Sequence, residues 1–499
     1  MNQFGKFLLI TACLSTGSFL AKAHEDCDAL STPLGITASS TIDDVRNELR
    51  KLNIPVFEFN MTDGEFPSYT VIEAPEGCIG KGITDNNWVE GILKISVGDE
   101  ILYESGEYVN KESGIRLKCR GNTSTAQTYI QKKSYKLKLQ KKADLLFRDD
   151  KDLKDKDWVL LGNGSARLQY AAGTELARIC GMPWEPSGKH VAVIMNDKYM
   201  GTYYLVEAVK GDKNRVNIED TGYIIENDAY WWKPGEVYFK SEYLPKYMGW
   251  TFTEPDTDDF ADDTLDNIKN VISIFEDELF AGNDVSDMLD YETFASWLLS
   301  HDIMNTIDAM GCNMFVVKEN FNADNLFETK LKMGPVWDFD DCFKHHTEKH
   351  APIYDTNGFW YIELTKRGAF REIYMNKWLE VKDNLSTMLY DKIKTYAQEN
   401  HDLHRARLIE EKFRLNGYTT ITCPLDDTED YLEWLETRLE TLNDIMEVEY
   451  PGTGVDNIEI ENFGNEVIYN LMGVPVDSSY KGIVIKKGAD GKARKFIQK

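Results

Sequence analysis

The chain has 499 residues, with 84 Asp and Glu against 56 Lys and Arg, for a net charge of −28. That acidity argues against nucleic acid and anionic membrane as partners and favours divalent cations and basic protein segments. At 42% apolar and 12% aromatic residues, the chain is too rich in core-forming side chains for disorder. Its length suits two or three domains, or one two-lobed enzyme with additions.

The N-terminus reads as an export signal: Lys6 precedes the apolar residues 7–20, and Ala21-Lys-Ala23 is an A-x-A cleavage site before His24. A lipoprotein reading at Cys13, after Leu9-Ile-Thr-Ala, leaves too short an apolar region ahead of the cysteine. No later run is long enough to span a bilayer, so the expected product is soluble and exported: periplasmic, cell-surface associated or secreted. Cys27, Cys78, Cys119, Cys180, Cys312, Cys342 and Cys423 remain after cleavage, too scattered for a zinc pattern or a dense disulfide framework. One or two bridges would suit an oxidising compartment, with a pairing that spacing does not give.

A capped amphipathic helix starts at Thr41, with Ile42, Val45 and Leu49 on one face. Strand signals follow at 56–59, 69–74, a hairpin over 92–103 turning at Gly98-Asp99, and 114–120. Arg120-Gly-Asn-Thr-Ser124 is a small polar loop whose backbone donors suit a phosphate. In the strand after it, Lys132, Lys136 and Lys138 share one face, and Lys133, Tyr135, Leu137 and Leu139 the other. A lysine-rich strand face is commonly just solvated. Lys133 stands out because it shares the mostly apolar face, and a strand lysine aimed into a cleft is what nucleotide phosphates need.

Residues 158–161 form a short strand and 166–180 a helix whose Glu175 is a candidate partner for a strand lysine. A strong hairpin signal, 190–195 and 200–207 around Asn196-Asp-Lys198, closes this strand-rich half. From Thr264 onward the apolar spacing turns helical, through 294–298, 370–381, 388–397, 403–413 and 431–446. After the linker Pro451-Gly-Thr-Gly454, residues 467–473 and 481–485 read as short β-segments.

Between the two halves lies the chemistry. Asp308 and Asn313 stand five positions apart before the apolar run 314–317. The chain returns through Leu331-Lys-Met333 to Trp337-Asp-Phe-Asp-Asp341. A β-hairpin here would put Asp308 and Asn313 at its entry and Asp338 and Asp340 at its exit. D-x4-N alone recurs by chance. Three carboxylates in four residues repel one another unless a cation or basic groups lie between them, and these follow an apolar approach, which points to a metal. Phosphoryl transfer of the kinase type uses such parts: an Asp for the hydroxyl, an Asn five residues on for a metal, and a later Asp for metals and phosphates.

Several segments resemble, in order, the CotH-type atypical protein kinases, a family named for a spore-coat protein H. They are Arg120-Gly-Asn-Thr-Ser124 with Lys132-Lys-Ser-Tyr135, Trp158-Val-Leu-Leu-Gly-Asn163, and Asn196 to Glu207. Asp308 with Asn313 and Trp337-Asp-Phe-Asp340 complete a set covering roughly residues 57–350. The resemblance implies an α+β fold: a two-lobed, atypical protein-kinase-like body with a strand-rich N-lobe over 57–215 and a helical C-lobe over 216–450. Residues 1–23 would be the signal peptide, 24–56 an N-terminal segment, and 451–499 a small β-rich tail. That tail resembles C-terminal segments of proteins exported by Bacteroidetes-type bacteria.

By the same resemblance the protein phosphorylates protein hydroxyls with ATP and Mg²⁺ or Mn²⁺, on a protein substrate the sequence does not identify. Asp308 is then the catalytic Asp, Asn313 and Asp338 bind metal, and Asp340 assists. Lys133 and, second to it, Lys136 reach the phosphates, and Tyr135 and Trp337 line the nucleotide pocket; Arg120, Asn122 and Glu207 join them from the matched motifs. The sequence departs from the family where Cys312 replaces a common His, where an Asp is missing near Ser165, and in an acidic, aromatic insert over 223–260. Two other classes stand beside the kinase reading. One is a kinase-like surface binding or structural protein without turnover. The other is a carboxylate hydrolase of surface polysaccharide, with Trp231, Trp232 and Trp360 as stacking platforms. His345, His346 and His350 lack the helical spacing of a zinc site and read as loop residues.

Overall fold

The computed structural model describes residues 35–127, 132–162, 168–306, 309, 313–343, 359–413, 422–449, 468–470, 475–476, 479–487 and 493–498. Content is 35% helical and 26% strand, which makes the fold α+β.

Helix α1 (Ile42–Leu49) opens with a capping box in which the Thr41 hydroxyl and the Asp44 carboxylate satisfy each other's backbone amides. Then come β1 (Val56–Met61), a two-stranded hairpin of β2 (Thr70–Glu73) and β3 (Lys81–Thr84), and the predicted hairpin as β4 (Val89–Val97) and β5 (Glu100–Glu104). β6 (Ile115–Arg120), a one-turn helix α2 (Thr123–Ala126), β7 (Ser134–Ala143), β8 (Asp155–Leu161), α3 (Gln169–Ile179), β9 (Gly188–Met195) and β10 (Lys198–Glu207) complete this part.

Local alternation does not foretell what these strands do together. The sheet runs β1-β9-β10-β8-β7-β6-β4-β5, and β1 also pairs with β4, so seven strands close into a barrel with β5 appended. Closure rests on β1, which runs parallel to β9 and antiparallel to β4. One side chain in two points inward, among them Phe57, Phe59, Leu117, Leu137, Trp158 and Leu205, all fully buried. Closure pairs both sides of the seven barrel strands, and filling the interior contributes roughly 1.5–3 kcal/mol for each large apolar side chain buried.

The opposite face of β8–β10 is apolar too. Val159, Leu161, Ile194 and Val206 belong to a second cluster that takes in Leu176 of α3 and continues into the rest of the body. That remainder holds β11 (Tyr223–Asp228), β12 (Gly249–Glu254), α4 (Thr264–Phe280), α5 (Tyr291–Met304), β13 (Met314–Lys318) and β14 (Leu331–Met333). Five further helices follow: α6 (Phe359–Leu364), α7 (Gly368–Val381), α8 (Leu385–Glu399), α9 (Leu403–Lys412) and α10 (Pro424–Glu449). The insert after Tyr223, which matched no motif, is where sequence and structure part most: it supplies two strands of a second sheet, ordered β12-β11-β13-β14.

In the tail, β15 (Ile468–Asn470), β16 (Pro475–Val476), β17 (Gly482–Lys487) and β18 (Ala493–Gln498) form a four-stranded sheet. It touches the body where the Tyr480 hydroxyl donates to Glu372 on α7. Among the described residues no helix is long and apolar enough to cross a membrane.

Candidate active site

A cleft of about 850 Å³ lies between the barrel and the second sheet. Its barrel wall is the outward face of β6. Ile115, Leu117 and Cys119 of that strand are buried inside the barrel, so Lys118 and Arg120 necessarily face outward. Lys136 sits opposite Lys118 in register on β7 and shares that outward face. Burial and the neighbouring charges of Lys136 and Lys233 depress the Lys118 ammonium. Gly121, at φ +90°, then turns the chain so that Asn122, Thr123 and Ser124 rim the cleft.

The facing wall comes from the ends of β11 and β13 and from the segment after β14. Asn227 pairs with Met314, which places Asn313 beside Asp228 at one end of the sheet. Asn313, Trp337, Asp338 and Asp340 all line the cleft. The Arg120 guanidinium stands 5.7 Å from the centre of the Trp337 ring. The hairpin β13–β14 thus brings Asn313 together with Asp338 and Asp340 across 25 residues of sequence. Asp308 lies outside the described residues, as do His345, His346 and His350.

Asp338 takes φ +63°, in the left-handed region, and a one-turn helix over Phe339–Asp341 follows it. Helix α3 holds this turn. The Tyr170 hydroxyl donates to Asp338 Oδ1 at 2.7 Å. The Phe339 ring lies so close to Gly173 that a Cβ there would sit 2.1 Å from the ring. Burial, then Asp338 and Asp340, push the Tyr170 hydroxyl well above its ordinary range, so it remains a donor.

The insert roofs the cleft. Lys233 Nζ lies 3.3 Å from Asn122 Oδ1 and 3.3 Å from Glu236 Oε1, and the Tyr230 and Thr123 hydroxyls are hydrogen-bonded to each other. Glu226 and Asp228, two apart on β11, point into the same space. Burial, and Asp228 beside it, push the Glu226 carboxyl well above its ordinary range, against the pull of Arg120 and Lys233. Asp228 accepts the Tyr230 amide at 2.7 Å and the Thr251 hydroxyl at 3.3 Å.

Arg120, Asn122, Asn313, Trp337, Asp338 and Asp340 therefore meet in one place. Lys133, Tyr135 and Glu207 stand elsewhere. Lys133 Nζ donates to the carbonyls of Thr125 and Gln127 at 2.9 and 2.8 Å, bracing the turn that rims the cleft from behind. Tyr135 is buried in the barrel against Tyr203. Glu207 is buried, accepting Arg148 at 2.8 Å and the Ser187 amide at 2.9 Å. Glu175 pairs with Arg178 and not with a strand lysine. Lys132 points not to solvent but to a buried ion pair with Glu410.

Lys118, Tyr170, Glu226, Asp228 and Lys233 were not singled out from the sequence. For Lys118 the signal was present, since it shares the β6 face of Arg120; for Tyr170 there was none. Trp360 is fully buried against Trp250 and Phe275, which withdraws it as a sugar platform. Cys423 is disulfide-bonded, whereas Cys78, Cys119 and Cys180 are free thiols. Among the described residues no group of three or more His, Cys, Asp and Glu side chains could hold a metal by itself.

None of the curated proteins compared with the chain matches it. The profile of a family described as CotH kinase protein matches residues 117–442, from the strand carrying Arg120 to the last helix of the body. That span contains Lys118, Arg120, Asn313, Asp338 and Asp340 of the cleft and covers most of the chain, which therefore belongs to the CotH kinase protein family.

Proposed function

We propose that the protein is an exported kinase that transfers the γ-phosphate of ATP to protein hydroxyls with the help of Mg²⁺ or Mn²⁺. The observation that carries this reading is the opposition of two walls across one cleft: Lys118 and Arg120 on the barrel side, Asn313, Asp338 and Asp340 on the other. A polyphosphate suits the first wall and hard cations the second.

The residues fit the groups the family implies. Mg²⁺ takes oxygen ligands and is commonly held by one or two carboxylates, with water and substrate phosphates filling the other places, so it needs no protein cage of its own. Asn313, Asp338 and Asp340 would offer it amide and carboxylate oxygens. A bound divalent ion supplies charge neutralisation on the phosphates. Arg120, beside the Trp337 ring, has a planar guanidinium that can present paired N–H donors to a phosphate, whereas Lys118 and Lys233 act as point charges. Asp308 is assigned the acceptor hydroxyl by family resemblance. Export would follow from residues 1–23, and the tail would serve as an address or anchor, with the product periplasmic, at the cell surface or secreted.

Thermal stabilisation tests the reading on the full chain. ATP with Mg²⁺ or Mn²⁺ raises the melting temperature, and either component alone raises it less. No shift at millimolar nucleotide with either metal would refute it.

A further inference from the structure

Asp338 holds a left-handed backbone conformation, which a non-glycine residue keeps only where its surroundings enforce it. Tyr170 and the Phe339–Gly173 contact enforce it from α3. A second contact acts two residues upstream. Glu185, in the turn between α3 and β9, accepts the Val336 amide on its Oε1 at 2.9 Å.

Glu185 is only 2% exposed, and its Oε2 is buried with no hydrogen-bond partner. Burying a carboxyl to satisfy a single backbone amide is unfavourable as a packing solution. Its own backbone is tied down in turn. Arg178 Nη2 donates to the Glu185 carbonyl at 2.9 Å and to the Ser187 hydroxyl at 3.1 Å. The Ser187 amide donates to Glu207, which Arg148 also holds. Glu207 thus braces the segment that carries Glu185. The chain of contacts runs Arg148, Glu207, Ser187, Arg178, Glu185, Val336, and ends two residues from Asp338.

We propose that Glu185 is a positioning residue for Asp338: through the Val336 amide it fixes the approach of the 334–338 segment so that the Asp338 carboxylate meets a divalent ion beside the bound phosphates. This rests on the nucleotide reading of the cleft. Burial pushes the Glu185 carboxyl well above its ordinary range, against the pull of the Val336 amide and Arg178, and an amide of the same length keeps the carbonyl oxygen that Val336 uses.

The test compares the full chain with Glu185→Gln, Glu185→Asp and Glu185→Met, titrating a non-hydrolysable ATP analogue with Mn²⁺ and again in EDTA. Gln keeps a carbonyl oxygen for Val336, Asp withdraws it by one methylene, and Met keeps the volume without an acceptor. The Gln variant should bind within about twofold of wild type. Asp and Met should each lose roughly tenfold or more of the Mn²⁺-dependent affinity, the scale of one lost hydrogen bond to a group that must be held in place, with EDTA affinity unchanged. Should one of these two fail to fold, the other decides. Wild-type affinity in the Asp or Met variant overturns the proposal, as does a Gln variant no better than Asp, or equal losses with and without metal. A wild-type chain with no Mn²⁺-dependent binding refutes the nucleotide reading itself, and this inference falls with it.

Discussion

The ion pair of Lys132 and Glu410 joins the barrel to helix α9, and its loss should be among the costliest single changes in the body. Lys132 Nζ lies 2.7 Å from Glu410 Oε1, with the two side chains 3% and 0% exposed. Glu410 Oε2 accepts both the amide and the hydroxyl of Thr202 on β10, at 2.7 and 2.6 Å. Gly201, at φ +96°, makes room for it: a Cβ there would come within 2.8 Å of the carboxyl carbon. Lys132→Met keeps the length of the side chain and removes its charge, leaving Glu410 its two hydrogen bonds to Thr202 but without its ion-pair partner. Removing one partner of a buried pair costs about 3–5 kcal/mol, a large share of the roughly 5–15 kcal/mol that holds a typical domain folded. Adding Glu410→Gln retains an acceptor for Thr202 and removes the stranded charge, so the double variant should recover at least about 2 kcal/mol of that loss. Urea unfolding of the single and double variants, followed by tryptophan fluorescence, reads the difference. A loss below about 1 kcal/mol in Lys132→Met, or a double variant as unstable as the sum of its parts, would refute the reasoning.

Gly173→Ala places a methyl group where the Phe339 ring now lies. Overpacking of this kind costs about 1–3 kcal/mol, and the displaced ring should carry Asp338 with it, so metal-dependent nucleotide stabilisation should fall further than the melting temperature of the free protein. Glu276, bonded by Ser241 at 2.6 Å and Trp360 at 2.9 Å, is pushed by burial from 4.5 to about 7. Because the folded state holds this proton more tightly, stability is greatest below pH 4.5 as far as this group is concerned and declines as pH rises toward 7, by about 3 kcal/mol in all. Glu276→Gln should flatten that decline and raise the urea midpoint at pH 8. An unchanged pH profile would show that Glu276 titrates normally.

How much of this was legible in the sequence follows from the range of the interactions involved. The Thr41 cap, the hairpin turning at Gly98 and the β9–β10 hairpin are local, and turn chemistry with period-two alternation is enough to find them. The association of Asn313 with Asp338 and Asp340 was legible for the same reason, because a single hairpin links them. Barrel closure was not, since β1 meets β4 and β9 through pairings no local pattern encodes. That closure also settles which face of a strand looks outward. On β6 and β7 the apolar face fills the barrel, so Lys118 and Lys136 lie on the outward face while Tyr135 turns inward; alternation separates two faces without saying which one meets a cleft. Glu226 and Asp228 were hidden because the insert carrying them matches no motif, and their strand alternates only over a few residues. Tyr170 looks like any helix aromatic until Asp338 is placed against it.

If Asp338 and its neighbours serve metal-dependent phosphoryl transfer, transfer itself is the direct measurement. The purified full chain is incubated with γ-labelled ATP and Mn²⁺ or Mg²⁺, with casein as acceptor, beside Asp338→Ala. Label should pass to casein or to the protein itself, only with metal, and should fall by roughly 10²-fold or more in the variant, the scale for removing a preorganised electrostatic group. A wild-type chain that transfers no label with either metal, or an Asp338→Ala chain as active as wild type, would contradict the account.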